Sequence, residues 1–258
     1  MQNKEENKIP KIIHYCWFGG KPIPKDLQDC IDTWSILKGY QVMRWDESNC
    51  SFDENEFVRK TYAEKQLGFI GDYYRLKAVY EYGGIYLDTD VELLKSLDPL
   101  LHLEGYMGFE NDKLVASGLG FGATKGAPFL KKLLDDYEDI PFIQEDGTPD
   151  MTPCTYRTTW KLQEFGLSLP PNGIQKICGF TIFPRDYFCP LDYYSGITQK
   201  TKNTYSIHHY EASWLDPKRK AAVRYDRRKN QLRHFLGPNI YHFLEIIWNL
   251  LHGRIKRN

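Results

Sequence analysis

The apolar positions of this chain fall into short continuous runs alternating with helically spaced stretches. KIIHYCWFGG (residues 11–20) is an apolar run closed by a Gly-Gly turn, the pattern of a buried strand. Pro22 and Pro24 lead into a helix expected over 25–37, and YQVMRWD (40–46) reads as a second strand. Helices are expected over 53–66 and 70–82, the latter with Leu76, Val79 and Tyr80 on one face. Gly83 and Gly84 stop it, because glycine takes a left-handed cap at little cost. GIYLDTDV (84–91) is the next strand, and GYMGFE (105–110) and GLGFGAT (118–124) are two more. A helix over 128–137, the polar loop QEDGTPDMTP (144–153) and a helix over 156–165 precede strands in FTIFP (180–184) and YSIHHYEASW (205–214). Strands separated by helices, with hairpin-like pairs later, imply an α/β fold with a mixed central sheet flanked by helices.

The end of the chain follows a different pattern. GPNIYHFLEIIWNLLHGRIKRN (237–258) opens with a Gly-Pro helix start and sets Ile240, Phe243, Leu244, Ile247, Trp248 and Leu251 on one helical stripe. Basic residues precede the stripe (Arg224, Arg227, Arg228, Lys229, Arg233) and follow it (Arg254, Lys256, Arg257). Residues 217–258 hold 11 Lys and Arg against 2 acidic residues, a net of +9, which leaves −9 on residues 1–216 of a chain that is neutral overall. An apolar stripe with basic flanks is the composition of an interfacial helix drawn to anionic lipid, so an anionic membrane surface is an expected partner. The plainer reading is a terminal helix packed on its own domain or in a dimer. Neither part has the charge of a nucleic-acid binder, and no nucleic-acid partner is expected.

With 258 residues and 41% hydrophobic content, the chain can bury the core of one α/β domain. Its six cysteines form no C-x-x-C pair, which argues against a zinc site or a disulfide scaffold. The charged start MQNKEENKIPK shows no secretory signal, and no run reaches the length of a membrane span. The expected setting is cytoplasmic, peripheral on the inner face of the cell membrane.

The chemistry concentrates in one place. Asp88 and Asp90 fall at the carboxyl end of a buried strand, where open α/β sheets place ligands. Two apart on a strand, they point to one side, and such a pair is costly unless something positive lies between. Hard oxygen ligands suit Mg²⁺ or Mn²⁺, whose other positions are filled by phosphate and water. Asp72 and Arg75, three apart on a helix, share a face and can act together. By itself D-x-D is a weak signal, and its weight comes from context.

That context resembles a known family. GDYYRLKAVYEYGGIYLDTDV (71–91), with IPKIIHYCWFGG (9–20) before it and SIHHYEASW (206–214) after it, is similar to the core of glycosyltransferase family 32. That group of DXD-motif enzymes includes capsular polysaccharide and lipopolysaccharide transferases and fungal mannosyltransferases, and is related to the glucosylating domains of large clostridial toxins. The resemblance implies a GT-A fold over residues 1–216, with 217–258 a basic amphipathic helical extension. It implies a retaining transferase that moves a hexose or N-acetylhexosamine from a nucleotide sugar, UDP-sugar favoured, to a saccharide acceptor. A lipid-linked oligosaccharide in surface polysaccharide assembly is the expected acceptor, and Mn²⁺ or Mg²⁺ the expected cofactor.

By the same resemblance Asp90 is a direct metal ligand, and Asp88 acts through water or on ribose and sugar hydroxyls. Asp72 holds donor-sugar hydroxyls, and Arg75 reaches the sugar and diphosphate. Tyr86 brings a hydroxyl near the donor, Trp17 stacks on the nucleobase, and His14 lines the same strand end. A flat indole is a sensible partner for uracil, since stacking needs no base-specific hydrogen bond. The closing strand returns a metal ligand and a tryptophan, here His209 and Trp214, with Ser213 beside them. His208 is the alternative, because neighbours on a strand face opposite ways and only one can enter the site.

Plainer readings stand beside these. Tyr86 reads equally as core, and Asp72 with Arg75 as a surface helix ion pair worth about 0.3–0.5 kcal/mol. Ser117 and GLGFGA are taken as a strand beneath the acceptor site, and Glu110 or Asp150 as an acid near the acceptor. A haloacid-dehalogenase-type phosphatase also carries D-x-D after a buried strand, but its motif continues with Thr or Val where DTDVE has Glu92. A non-catalytic member of the fold, binding glycans or a partner enzyme, is the other rival.

Overall fold

Sixteen residues, Leu67–Tyr82, form a helix that buries Ile70, Tyr73, Tyr74, Leu76, Ala78 and Val79. Apolar side chains on more than one face require cover on more than one side. The cover comes from a sheet on one side and neighbouring helices on another, and the polar site grows from the end of that sheet.

The computed structural model describes residues 6–211 and 217–251. In chain order its elements are β1 (Ile12–Cys16), α1 (Lys25–Asp32), β2 (Gln41–Trp45), α2 (Glu56–Ala63), α3 (Leu67–Tyr82), β3 (Gly84–Tyr86), β4 (Val91–Leu93), β5 (Gly105–Phe109), β6 (Val115–Ala116) and β7 (Phe121–Ala123). They continue as α4 (Pro128–Asp139), α5 (Cys154–Glu164), β8 (Gln175–Ile177), β9 (Phe180–Phe183), β10 (Ser206–His208), α6 (Pro217–Leu236) and α7 (Pro238–Leu251). The chain divides into two compact units, Met1–Pro190 with Lys200–His209, and Leu191–Gln199 with Tyr210–Asn258.

The first unit is built on an eight-stranded sheet of order β2-β1-β3-β7-β5-β9-β8, with β6 paired to β5. β1 runs parallel to β2 and to β3, and β7 then joins β3 antiparallel, so the sheet is mixed as the alternation of elements implies. β10 pairs antiparallel with β4 in a separate two-stranded ladder. On the helical side Phe57 packs edge-on against Tyr137 at 4.9 Å and Phe142 at 5.7 Å, tying α2, α4 and the segment after α4 together.

Several expectations shift. The helix over 25–37 ends at Asp32 and continues as a 3-10 turn through Ile36. The expected strand 84–91 stops at Tyr86. The basic flank ahead of the apolar terminal helix is itself a helix, α6, with Gly237 (φ +78°) at the joint to α7. Within this second unit Arg227 donates to the Tyr193 carbonyl at 3.0 Å and lies over the Tyr193 ring, and Gln231 donates to the Gly196 carbonyl at 2.6 Å.

His14, expected at the strand end facing the donor, belongs to the core. It is fully buried, with Nε2 2.8 Å from the Gly83 carbonyl and Nδ1 accepting from Trp45 Nε1 at 3.2 Å. Those partners fix the neutral tautomer with the proton on Nε2, and burial pulls the pKa down in the same sense. No ring nitrogen is left for a ligand.

Gly83 closes α3 with φ +67° and ψ −179°, more extended than a left-handed cap and accessible in practice to glycine alone. At Gly84 (φ +109°) a Cβ would lie 2.6 Å from the Ile12 carbonyl oxygen and 3.1 Å from His14 Nε2. Gly84→Ala is expected to lose about 3 kcal/mol or more, because backbone cannot yield. Gly39→Ala, with φ +75° and open space, should lose only about 1 kcal/mol from backbone strain. Urea denaturation of both variants measures the difference, and equal losses would show that close approach of β1 and β3 does not limit the fold.

Candidate active site

β3 ends at Tyr86, and the chain beyond it turns. The Leu87 N–H donates to the His14 carbonyl at 3.0 Å, and the Val91 N–H then closes on the Asp88 carbonyl at 3.0 Å. Asp88 and Asp90 therefore sit in a tight turn between β3 and β4, not on alternate positions of a strand. Neighbours pin the turn from three sides. Trp34 Nε1 donates to the Val91 carbonyl at 2.8 Å, Leu93 N–H donates to Thr33 Oγ1 at 2.9 Å, and His209 N–H donates to the Asp90 carbonyl at 3.0 Å.

The two carboxylates converge on one imidazole. His208 Nε2 lies 3.2 Å from Asp90 Oδ1 and 3.9 Å from Asp88 Oδ2. His209, taken from the sequence as the ligand, turns the other way and places Nε2 2.8 Å from Glu92 Oε2. The ladder decides this: β10 lies beside β4 with His208 opposite Val91, so adjacent histidines fall on opposite sides and the first faces the turn. Burial disfavours the imidazolium of His208, but Asp90, the hydrogen bond to it, Asp88 and Glu110 outweigh burial and raise its pKa.

Behind the turn stands Arg75, buried on α3. Its Nη2 lies 3.0 Å from Asp72 Oδ1 and 3.3 Å from Asp88 Oδ1. Nε points to the Gly71 carbonyl at 3.3 Å, and Nη1 to Ser117 Oγ at 3.4 Å and Cys154 Sγ at 3.5 Å. Each guanidinium nitrogen thus lies within 3.5 Å of a protein acceptor. Tyr86 lies under the same group, with Arg75 Cζ 5.2 Å from its ring and its hydroxyl donating to Asp88 Oδ1 at 2.9 Å. Burial opposes the charge on Arg75, but Asp88 and Asp72 outweigh it and hold the pKa well above the ordinary value. Burial pushes Asp72 up against the pull of Arg75.

The floor of the site comes from the segment joining β6 to β7. The Asp88 N–H reaches the Gly118 carbonyl at 3.4 Å. A Cβ at Gly118 would stand 2.2 Å from Asp88 Oδ2 and 3.3 Å from Arg75 Nη1, so only glycine leaves Asp88 where it is. Sequence reasoning passes over Cys154, sets Ser117 and the stretch opening with Gly118 beneath the acceptor, and ranks His208 behind its neighbour. A buried serine, a glycine and a cysteine carry no local signal of a site; their role exists only once α5 and the β6–β7 segment meet α3.

Of the residues expected here, Asp72, Arg75, Tyr86, Asp88 and Asp90 come together. Trp17 follows β1 and is half-buried, its indole N–H given to the Lys21 carbonyl at 2.6 Å. β1 and β3 are parallel neighbours with His14 opposite Tyr86, so Trp17 and Asp88 leave the sheet at the same, carboxyl end. Trp214 and Ser213 lie outside the described residues. Asp150 is held by Arg157 at 2.7 Å and by the Thr152 N–H at 2.9 Å; these outweigh burial and keep its pKa low.

The donor set fits a divalent cation. The ligand atoms of Asp88, Asp90 and His208 lie within 4.8 Å of one another, and two hard oxygens with one imidazole nitrogen suit Mn²⁺.

Residues 24–106 match the family model described as glycosyltransferase sugar-binding region containing DXD motif. Inositol phosphoceramide mannosyltransferase 3 of Schizosaccharomyces pombe is 33% identical over 142 residues, covering 52% of this chain and 38% of its own. Inositol phosphoceramide mannosyltransferase 1 of the same organism is 30% identical over 136 residues, covering 49% of this chain and 42% of its own. The chain thus spans well under half the length of these curated relatives. Among solved structures, PaToxG glycosyltransferase is a loose likeness, with TM-score 0.46 and 18% identity over 60% of this chain and 69% of that one. A glycosyltransferase involved in glycosylation of the major capsid of PBCV-1 is another, with TM-score 0.43 and 13% identity over 83% of this chain and 100% of that one. The matched stretch runs from just ahead of α1 into β5 and holds the aspartate turn with the helix behind it, so the part of this chain that is similar to the DXD-motif sugar-binding region is the part that builds the site.

Proposed function

We propose that the site binds a nucleotide-diphosphate sugar with a divalent cation and transfers its hexose to a saccharide hydroxyl. The observation that carries the reading is the meeting of Asp88, Asp90 and His208 directly in front of the buried Asp72–Arg75 pair. Asp88, Asp90 and His208 would hold Mn²⁺ or Mg²⁺. When bound, such an ion neutralises charge on the departing nucleoside diphosphate.

The chain's own residues do the rest by position. Arg75, with its donors already engaged, acts as a positioning residue: it fixes Asp88 toward His208 and Asp72 toward the sugar side. This differs from a direct grip on the diphosphate. Tyr86 orients the same Asp88 oxygen from below. Trp17, at the carboxyl end of the parallel strands, is the proposed stacking partner of the base, and a uridine nucleotide remains the first candidate. The carboxylates of the cluster are engaged, Asp72 and Asp88 with Arg75 and Asp90 with His208, which supports a course without a covalent nucleophile. Retention by same-face displacement, with the leaving phosphate oxygen accepting the acceptor proton, is the proposed course. The curated relatives are named for an inositol phosphoceramide acceptor, which supports a lipid-borne acceptor here.

Calorimetric titration with UDP, GDP and CDP, each with and without Mn²⁺, tests the reading. One nucleotide should bind only with the ion, and absence of binding by all three in its presence would overturn the proposal. Asp90→Ala should abolish the binding. His208→Ala should weaken Mn²⁺ at least tenfold and His209→Ala by less than twofold; the reverse order would return the ligand role to His209.

The sign of the pH dependence follows from His208. Its folded pKa is raised, so the stability from its charged pairing with Asp90 is present below the ordinary histidine range and lost as pH rises through the raised value. A metal needs the neutral ring. Mn²⁺ affinity should therefore climb with pH across that window, with proton uptake by buffer. In the metal-free protein the melting temperature should fall over the same range. His208→Gln should flatten both curves.

Gly118→Ala should lower metal-dependent nucleotide affinity at least tenfold while shifting the melting temperature little, because the added Cβ meets the ends of Asp88 and Arg75 and not backbone. Titration and thermal denaturation of the same preparation separate the two effects.

A further inference from the structure

None of the described residues of the unit formed by Leu191–Gln199 and Tyr210–Asn258 is assigned to the chemistry above, and the unit displays apolar and basic side chains together on its surface. α6 is a basic helix, with eight Lys and Arg against one Asp in Pro217–Leu236. Arg227 and Gln231 hold the backbone of Tyr193 and Gly196, and the exposed Arg224 pairs with Glu211 at 2.9 Å. Tyr225, Leu232 and Phe235 of α6 are exposed, the last at 85%, and so are Arg228, Lys229 and Arg233.

α7 adds an apolar surface of its own. Tyr241 and Glu245 are its less exposed side, and Glu245 meets Lys229 of α6 at 3.0 Å. Ile240, Phe243, Leu244 and Ile247, at the i, i+3, i+4, i+7 spacing of a single stripe, stay open to solvent, Ile240 at 56% and Phe243 at 63%. Fourteen residues make about 21 Å of helix, short of the roughly 30 Å of a bilayer core, and no helix among the described residues is long and apolar enough to cross a membrane.

We propose that the α6–α7 hairpin is a monotopic docking surface for an anionic lipid bilayer. The apolar stripe of α7 and the Leu232–Phe235 end of α6 enter the headgroup boundary, and Arg228 and Arg233 meet lipid phosphates. Charge selects this occupant. A second copy of the hairpin would bring a like-charged α6 against this one, whereas an anionic headgroup layer offers the complementary sign together with an apolar layer beneath it. This inference stands apart from the transferase reading, and its assay uses neither donor nor acceptor.

The test is co-sedimentation of the full chain with vesicles of phosphatidylcholine alone or mixed with phosphatidylglycerol. Binding is expected to the anionic vesicles only, and to weaken as salt rises. Arg228→Glu and Arg233→Glu should each lower the partition at least fivefold, as expected for a basic residue near a charged surface. Ile240→Ser with Phe243→Ser should remove what remains. Circular dichroism of each variant shows whether the hairpin still folds, and the charge reversals on exposed positions keep the test valid if the apolar double variant does not. A chain that stays in the supernatant with anionic vesicles overturns the proposal. So does light scattering that shows a dimer, dissolved by Ile240→Ser and Phe243→Ser, in place of vesicle binding.

Discussion

A guanidinium buried with two carboxylates sets the terms for the rest of this molecule. Arg75 is about one-tenth exposed and Asp72 little more, and stranding either charge at such depth costs several kcal/mol. A buried ion cluster rarely outdoes apolar side chains of the same volume in stability, so its presence is better explained by what it holds in place. The three nitrogens of Arg75 reach four stretches of chain: α3 through Gly71 and Asp72, the aspartate turn through Asp88, the β6–β7 segment through Ser117, and the start of α5 through Cys154. The fold of the first unit can be read as the arrangement that lets these four pieces meet.

The same logic of paired elements fixes the third ligand. β4 and β10 make a short ladder, and its register alone determines which histidine faces the carboxylates. A slip of one residue in one direction would exchange His208 for His209, and in the other would present Ile207 and leave Asp88 and Asp90 without an imidazole. The His209 amide on the Asp90 carbonyl locks the register against that slip, and the Glu92 carboxylate gives the outward histidine a partner of its own. Two adjacent histidines thus serve different purposes, one at the site and one holding the ladder that presents it.

Much of this architecture was legible in the chain. The apolar periodicity located most helices and strands of the first unit to within a few residues, because each is decided by which face is buried. The D-x-D pair with Asp72 and Arg75 pointed to the site, since four charged groups beside a buried strand are costly to keep unless they hold one another for a ligand. What could not be read depends on long-range geometry. His14 sits at the expected strand yet spends both ring nitrogens on Gly83 and Trp45, partners 69 and 31 positions away. The choice between His208 and His209 rests on register, and Gly118 matters only because Asp88 approaches it from the turn after β3. The break after Tyr86 also escaped the pattern, as β-branched and aromatic residues followed by alternating aspartates look like one strand until the turn hydrogen bond is seen.

The charges of the cluster constrain how a ligand enters. Asp72, Asp88 and Asp90 ionised against Arg75 leave these four groups at −2, and a protonated His208 brings the set to −1. A nucleoside diphosphate carries further negative charge, so these side chains by themselves repel the ligand proposed for them, and at close range in a partly buried site that repulsion is not screened by salt. With His208 neutral, as a metal ligand must be, two added positive charges bring the set from −2 to neutrality. Affinity for a divalent cation and affinity for the diphosphate are then one coupled quantity, because each supplies the charge that makes the other tolerable in the same small volume. Arg75 cannot take over that role, since its charge is already spent on holding Asp72 and Asp88 together. A second guanidinium or lysine in its neighbourhood would ease diphosphate binding but would also compete with the cation for Asp88, which gives a physical reason for this cluster to keep its carboxylates in excess.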